Sequence, residues 1–280
     1  MHTRLFYILI VCLSLLPEVS GAAGKKISKI VIDPGHGGHD VGAKGRISYE
    51  KDLTLAISLR LGKIIRDSMK DVQVIYTRTT DIYPKLTERH EIANQAKADL
   101  FISVHVNSSP GSYERIQTGT RTVKRGKKRV KVPVYKTIHH PQTKTSGTET
   151  YVLGLHRASQ KEEAIGEYGE NITQEPGLLD VNDPQTAMII AQYSQAFLSR
   201  SVSLGSKIQQ EFANAGRRDL GVKQKGLEVL AGSAMPGVLV EIGFINNIEE
   251  EAYLNSDAGQ QEIAMAMFRG IKAYKQEAER

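Results

Sequence analysis

Lys29-Ile30-Val31-Ile32-Asp33-Pro34-Gly35-His36-Gly37-Gly38-His39-Asp40 decides how this chain is read. Ile30-Val31-Ile32 is a continuous β-branched run, which suits a strand covered on both faces and not one with a wet side. Pro34 and the glycines then close the strand in a tight loop. His36 falls at the strand's carboxyl end, where open α/β sheets hold their ligands. Glycines in such a loop let the backbone approach a ligand or take positive φ. Their spacing matches neither the dinucleotide-binding fingerprint nor the phosphate-binding P-loop.

Outward from this stretch, short strands alternate with longer helices. Strands are predicted over Lys29–Asp33, Gln73–Thr77, Leu100–Val106, Glu149–Leu153, Leu227–Leu230 and Val238–Ile242. Asp52–Ser68 carries Leu53, Ile57, Leu61 and Ile64/Ile65 at helical spacing, and a second helix, Lys85–Lys97, opens after Pro84. A long helix is predicted from Pro184 to Ala215, stopped by Gly216, and a last one over Ser256–Glu277. This alternation defines an α/β fold with a mostly parallel sheet flanked by helices. The chain has no internal repeat and no Ser/Gly linker, so residues 27–278 are expected to form a single domain.

The composition is 40% hydrophobic and 24% charged, with 25 Gly and 9 Pro in 280 residues, which excludes a disordered, collagenous or polytopic membrane protein. Lys and Arg number 37 against 31 acids, a formal charge of +6, so the distribution of charge matters more than its sum. At the N-terminus, Met1-His2-Thr3-Arg4 is basic, Leu5–Leu16 is apolar and Pro17–Ala23 ends in small residues. Residues 1–23 therefore read as a secretory signal peptide, the apolar run being shorter than the roughly 20 residues a membrane span needs. The mature chain is expected to have no membrane span. Cys12, the only cysteine, lies inside the apolar run. Its loss with the signal excludes disulfides, thiolate zinc sites and cysteine nucleophiles.

Two segments break the alternation. Residues 111–147 hold ten basic side chains, from Arg115 to Lys144, against the single acid Glu114. Thr120–Val123 faces Arg129–Tyr135 across Arg125-Gly126-Lys127-Lys128, which predicts a protruding β-hairpin. Through Arg121–Lys131 it could meet an anionic wall polymer, lipid head groups or a partner protein, or stand as a solvated surface. Nucleic acid is not expected, because aromatic residues do not interleave with the charge; His139 and His140 are expected at the surface. Residues 158–183, acidic in their first half, are read as a short helix followed by a loop.

Four places carry chemistry. His36 sits in the glycine-rich loop, and by itself reads equally well as a turn histidine. Glu50 precedes Lys51-Asp52-Leu53 at a helix start, where a carboxylate commonly serves the helix dipole. His105 ends the apolar strand Leu100-Phe101-Ile102-Ser103-Val104, where a hydrogen-bonded core histidine is the ordinary occupant. Glu241, inside Val238-Leu239-Val240-Glu241-Ile242, is the least ordinary, because a carboxylate buried without a partner is costly. Taken together, two imidazoles and a carboxylate from separate sheet-edge loops make a three-ligand site with an open position, the pattern of a catalytic zinc. A further glutamate on a nearby strand end can act on water as general base. Asp33 is assigned to bracing the turn, His39 to the surface, and Asn107 to capping or a turn before orienting substrate.

Asp33-Pro34-Gly35-His36-Gly37-Gly38, Tyr49-Glu50-Lys51-Asp52, Thr77-Arg78-Thr79-Thr80-Asp81, Leu86-Thr87-Glu88-Arg89 with Ala93-Asn94, Ser103-Val104-His105-Val106-Asn107 and Val240-Glu241-Ile242-Gly243-Phe244 occur in this order. In these segments the chain resembles the zinc-dependent N-acetylmuramoyl-L-alanine amidases of the type-3 family, over residues 27–275. The resemblance implies a mostly parallel six-stranded sheet, Zn²⁺ on His36, Glu50 and His105, and Glu241 as the catalytic glutamate. It implies peptidoglycan as substrate, cut between N-acetylmuramic acid and L-alanine of the stem peptide by zinc-activated water.

Some members of that family carry an inserted helix that plugs the site until an activator protein displaces it. Ala158–Glu175 lies where that insertion occurs, and Glu170, then Glu167, is the carboxylate expected to silence the resting enzyme. The signal and this segment together imply a secreted, periplasmic enzyme with a protein activator.

Overall fold

The computed structural model describes residues 26–168 and 184–280. Five strands of the main sheet appear as β1 (Lys29–Pro34), β2 (Gln73–Tyr76), β3 (Leu100–Asn107), β6 (Thr148–Leu153) and β8 (Gly237–Phe244), with β7 (Asp219–Lys225) as the sixth. Their order is β2-β1-β3-β8-β6-β7, and β6–β8 is the one antiparallel pairing. A separate two-stranded sheet, β4 (Ser112–Arg125) and β5 (Lys128–His140), is the predicted hairpin.

Alternation along β1 sets the two layers. Ile30 and Ile32 face α1 (Glu50–Ser68), α4 (Pro184–Asn214) and α7 (Asp257–Ala278), where Ile57, Leu61, Leu204, Ile208, Met267 and Ile271 are fully buried. Val31 faces the smaller layer built by α2 (Leu86–Gln95) and α5 (Glu228–Ala231), against Ala93, Phe101, Leu230 and Leu239. The remaining helices are α3 (Ala158–Glu167), the short helix expected at the start of residues 158–183, and α6 (Ile248–Asn255). Asn247 caps α6 through Glu249 N and Ser256 caps α7 through Gly259 N, so the predicted last helix is preceded by a second one.

One strand is misplaced by the sequence reading. Leu227–Leu230 is no strand: Leu227 immediately precedes α5, and Val229, Leu230 and Ala231 are buried. A run that short and apolar has no period to separate helix from strand. The true edge strand, β7, is rich in Lys and Gln and half-exposed, as an edge should be, and so carries no apolar run. Residues 1–23 and Glu170, with the expectations placed on them, lie outside the described residues. Among the described residues, no helix is long and apolar enough to cross a membrane.

Candidate metal centre at the sheet edge

The β1 loop is held by two buried arginines. Arg89 pairs with Asp33 at 2.8 Å and donates to Pro34 O and His36 O, while Arg78 donates to Pro34 O, Gly35 O and Lys51 O. Asp33 also accepts from Thr77 Oγ1 at 2.5 Å and Ser103 Oγ at 2.6 Å. Burial works to raise the Asp33 carboxyl, but Arg89 and the two hydroxyls outweigh it and hold it below its ordinary range. Asp33 thus braces the turn as expected, in a network far larger than the sequence suggested.

Within this frame His36 takes φ +60°, a left-handed conformation rare for a residue with a side chain. It points the ring at Glu50, the buried first residue of α1. Glu50 Oε2 lies 3.2 Å from His36 Nε2 and accepts from Ala43 N at 2.7 Å. Oε1 lies 2.9 Å from His105 Nδ1 and accepts from Val106 N at 3.0 Å. Ligand atoms of His36, Glu50 and His105 all fall within 4.8 Å of one another. Two glycines permit this closeness: a Cβ on Gly35 would meet the His105 ring at 2.5 Å, and one on Gly42, at φ +64°, would meet Glu50 Oε2 and His36 at 2.6 Å.

The charges inside the cluster are strongly coupled. Burial opposes ionisation of Glu50, yet hydrogen bonds from His105 and His36 prevail and lower its pKa. For His36, burial works downward and is overcome by Glu50 and by Asp40, whose Oδ2 lies 2.8 Å from Nδ1, raising the pKa to about 9. An imidazolium there stands where a cation would; a metal would displace its proton, as ligation requires neutral imidazole. The donor set of two ring nitrogens and one carboxylate suits zinc better than a hard oxygen-seeking cation.

Glu241 stands beside this cluster. Parallel register places it opposite His105 on β3, and antiparallel register opposite Glu149 on β6, so the three form a row across neighbouring strands. Its Oε2 is buried and, among the described residues, has no hydrogen-bond partner. Burial first, then the charges of Glu50 and Glu149, raise its pKa to about 7 against the opposing pull of His105. A carboxyl so poised can take and return a proton near neutral pH.

Several supports of the site carry no clear mark in the sequence. Asp40 orients His36, with only its spacing of four residues as a signal. Glu149, buried, accepts from Tyr151 Oη at 2.6 Å, Asn107 Nδ2 at 2.5 Å and Lys223 Nζ. Asn107 Oδ1 meanwhile accepts from Ser108 N at 2.8 Å, the turn role expected of it. His39 is exposed, its ring tilted against that of Tyr83 at 4.4 Å and apart from the cluster. Glu167 is exposed at the end of α3, lining a cleft with Thr87, His90 and Glu228 that includes none of the three ligand candidates.

An α/β sheet that gathers two imidazoles, a carboxylate and a poised glutamate at one edge has the layout of a hydrolase. The sequence profile of the N-acetylmuramoyl-L-alanine amidases matches residues 30–273, and the chain belongs to that family. It is 30% identical over 261 residues to the amidase AmiC of Escherichia coli O6:H1, covering 92% of this chain and 55% of AmiC. To the amidase AmiA of Escherichia coli K12 it is 29% identical, covering 92% of this chain and 79% of AmiA. The crystal structure of an N-acetylmuramoyl-L-alanine amidase from Clostridium difficile 630 superposes with a TM-score of 0.58 at 25% identity, over 89% of this chain and 97% of that one. The chain spans about half the length of AmiC and of the AmiB relative from Haemophilus influenzae, at 55% and 51%.

Proposed function

We propose that this chain is a zinc-dependent peptidoglycan hydrolase that cuts the amide between N-acetylmuramic acid and L-alanine of the stem peptide. The observation that carries it is the His36–Glu50–His105 cluster with the unpartnered Oε2 of Glu241 beside it. His36, Glu50 and His105 are the residues that hold the metal. When bound, zinc supplies a Lewis acid that makes water nucleophilic near neutral pH and polarises the scissile carbonyl.

The chain's own groups do the rest. Both Glu50 oxygens are tied to backbone N–H groups, so the carboxylate keeps one orientation. Asp40 fixes which nitrogen of His36 faces inward. Glu241 takes the proton from the attacking water and passes it to the departing L-alanine amine, a double duty that its pKa of about 7 permits. Asn107, held by Glu149 and by Ser108 N, braces the turn at the same edge.

Family membership supports the substrate and bond assigned here. The basic segment and apolar run in residues 1–23 support secretion, to the periplasm in this reading. Glu170 as an autoinhibitory ligand, relieved by a protein activator, belongs to the same proposal and rests on the acidic segment that begins with α3.

Digestion of purified peptidoglycan tests the reading, with wild type beside Glu241→Ala, zinc supplied or chelated, and products weighed by mass spectrometry. Stem peptides with free L-alanine amino termini, lost in the variant and with chelator, are expected. Deacetylated glycan or trimmed stem peptides would replace the amidase by another wall hydrolase. Silence in every sample, persisting after residues 158–183 are deleted, would replace it by a binding role.

A further inference from the structure

The β4–β5 hairpin takes no part in the site, yet it is the most highly charged feature of the molecule. Directly opposed residues of an antiparallel pair share a face. The pairings Val123–Val130, Arg121–Val132, Gly119–Val134 and Ile116–Lys136 therefore place Ile116, Val123, Val130, Val132, Val134 and Ile138 on one side of the ribbon. Ile116, Val130 and Val134 are 39%, 39% and 37% exposed, and the other three are half-exposed. Among the described residues, the two strands pair only with each other.

Cations surround this aliphatic face. Arg121, Arg125, Lys128 and Lys136 lie on it, and Lys124, Arg129 and Lys131 lie on the reverse. At the tip Lys124 stands directly opposite Arg129, and Arg125 opposite Lys128. Like charges so placed cost the ribbon stability, a cost that an anionic surface relieves. Nearer the base the ribbon is ordered by its own aromatic residues, with Arg115 stacked 4.1 Å over Tyr135 and Tyr113 4.6 Å from His139.

The base itself is clamped. Asn246, just beyond β8, donates to Ser109 O at 2.7 Å and Pro141 O at 2.6 Å and accepts from Ser109 N at 3.1 Å, binding both legs. The ribbon therefore stands on the sheet edge that bears His105 and Glu241. Its 13-residue strand extends roughly 40 Å at the usual rise.

We propose that this ribbon is a membrane-surface contact, its aliphatic face seated among the headgroups of an anionic bilayer and its Lys and Arg side chains paired with lipid phosphates. Side chains with apolar stems and cationic ends suit that boundary, the stems entering and the charges staying at the headgroups. A soluble polyanion would use the cations and leave the aliphatic face without a partner; an anionic bilayer uses both. The consequence is that the catalytic edge works within a ribbon's length of the membrane.

The test is binding of the full chain to vesicles of phosphatidylglycerol and phosphatidylcholine, compared with pure phosphatidylcholine. The first variant combines R125Q, K127Q, K128Q and R129Q; the second combines V123S, V130S and V132S. Every sample carries the same N-terminus, so differences report the ribbon. Each variant is expected to bind the anionic vesicles at least fivefold more weakly, about the effect of one lost cation near such a surface, and to bind neutral vesicles unchanged. Because the chain lacks tryptophan, Val130→Trp gives a clean reporter whose emission shifts to the blue on anionic vesicles. Thermal melting checks that the variants are folded. Equal binding by wild type and both variants overturns the proposal. So does loss in the cation variant alone without a tryptophan shift, which would assign the ribbon to a soluble polyanion.

Discussion

The sheet edge and the ribbon that rises from it hold charge in opposite ways. At the edge, Asp33, Glu50, Arg78, Arg89 and Glu149 are buried, and each is satisfied by named donors or acceptors from distant parts of the chain. At the ribbon's tip, charges of one sign stand open to solvent and directly opposite one another. Buried charge must be paired and therefore fixes geometry to fractions of an ångström; exposed charge is free to serve a surface that varies. A substitution at the edge should thus cost orders of magnitude, and one on the ribbon almost nothing in isolation.

The largest effect is expected at Glu241. Glu241→Ala should lower the rate of stem-peptide release by about 10² to 10⁴, the range for a lost general acid–base group, with melting unchanged or raised because a costly buried carboxyl is gone. Retained activity would remove Glu241 from the chemistry. Next in size is the brace behind it. Arg89→Met leaves Asp33 buried without its ion-pair partner, a change worth about 3–5 kcal/mol that denaturant unfolding would register. A loss below 1 kcal/mol would mean that Thr77 and Ser103 satisfy Asp33 alone.

Asp40→Asn is expected to weaken zinc affinity by about 10- to 100-fold, as lost outer partners of metal-bound histidines do, measured by competition with a chelator. The wild-type affinity should rise with pH up to about 9, because below that value a proton on His36 must leave before a metal binds. A flat profile would show that His36 is not a ligand.

How much of this contrast was legible beforehand depended on whether a feature is local. Strands β1, β3 and β8 could be read because both their faces are covered, which leaves continuous apolar runs. His36 and His105 stood out as candidates because they follow or end such runs and Glu241 because it lies inside one, whereas Glu50, at a helix start, stood out only beside them. The hairpin could be read from its alternation and its Gly126 turn. Strand β7 could not, since an edge strand is polar, and the supports Arg78, Arg89 and Glu149 could not, since nothing local distinguishes a buried partner from a surface charge. Lys161 is the sharpest such case: a lysine in an unremarkable helix that is fully enclosed and donates to Leu230 O, Ser233 Oγ and Met235 O.

That lysine ties α3, and with it the start of the acidic segment, to the core, and it makes this attachment depend on pH. Burial pushes Lys161 down to about 7 from its ordinary 10.5. Between those values the unfolded chain holds a proton that the folded chain lacks, so stability should rise with pH from about 7 toward 10.5 and be lowest below 7. Lys161→Met should remove that slope in melting curves taken across the range; an unchanged slope would place its origin elsewhere.

The smallest effect is on the ribbon, where one charge reversal isolates its cost from its use. Lys124→Glu turns the like-charge pair with Arg129 into an opposed one, which should steady the tip by about 0.2–1 kcal/mol. Amide exchange along β4 and β5 would report it, while the melting temperature of the whole protein stays put because the ribbon does not pair with the main sheet. If exchange at the tip slows and binding to anionic vesicles falls in the same variant, the opposed cations are a strain kept for a partner. If exchange does not change, the tip charges are screened by solvent, and the ribbon's register is set by its aliphatic face and aromatic base alone.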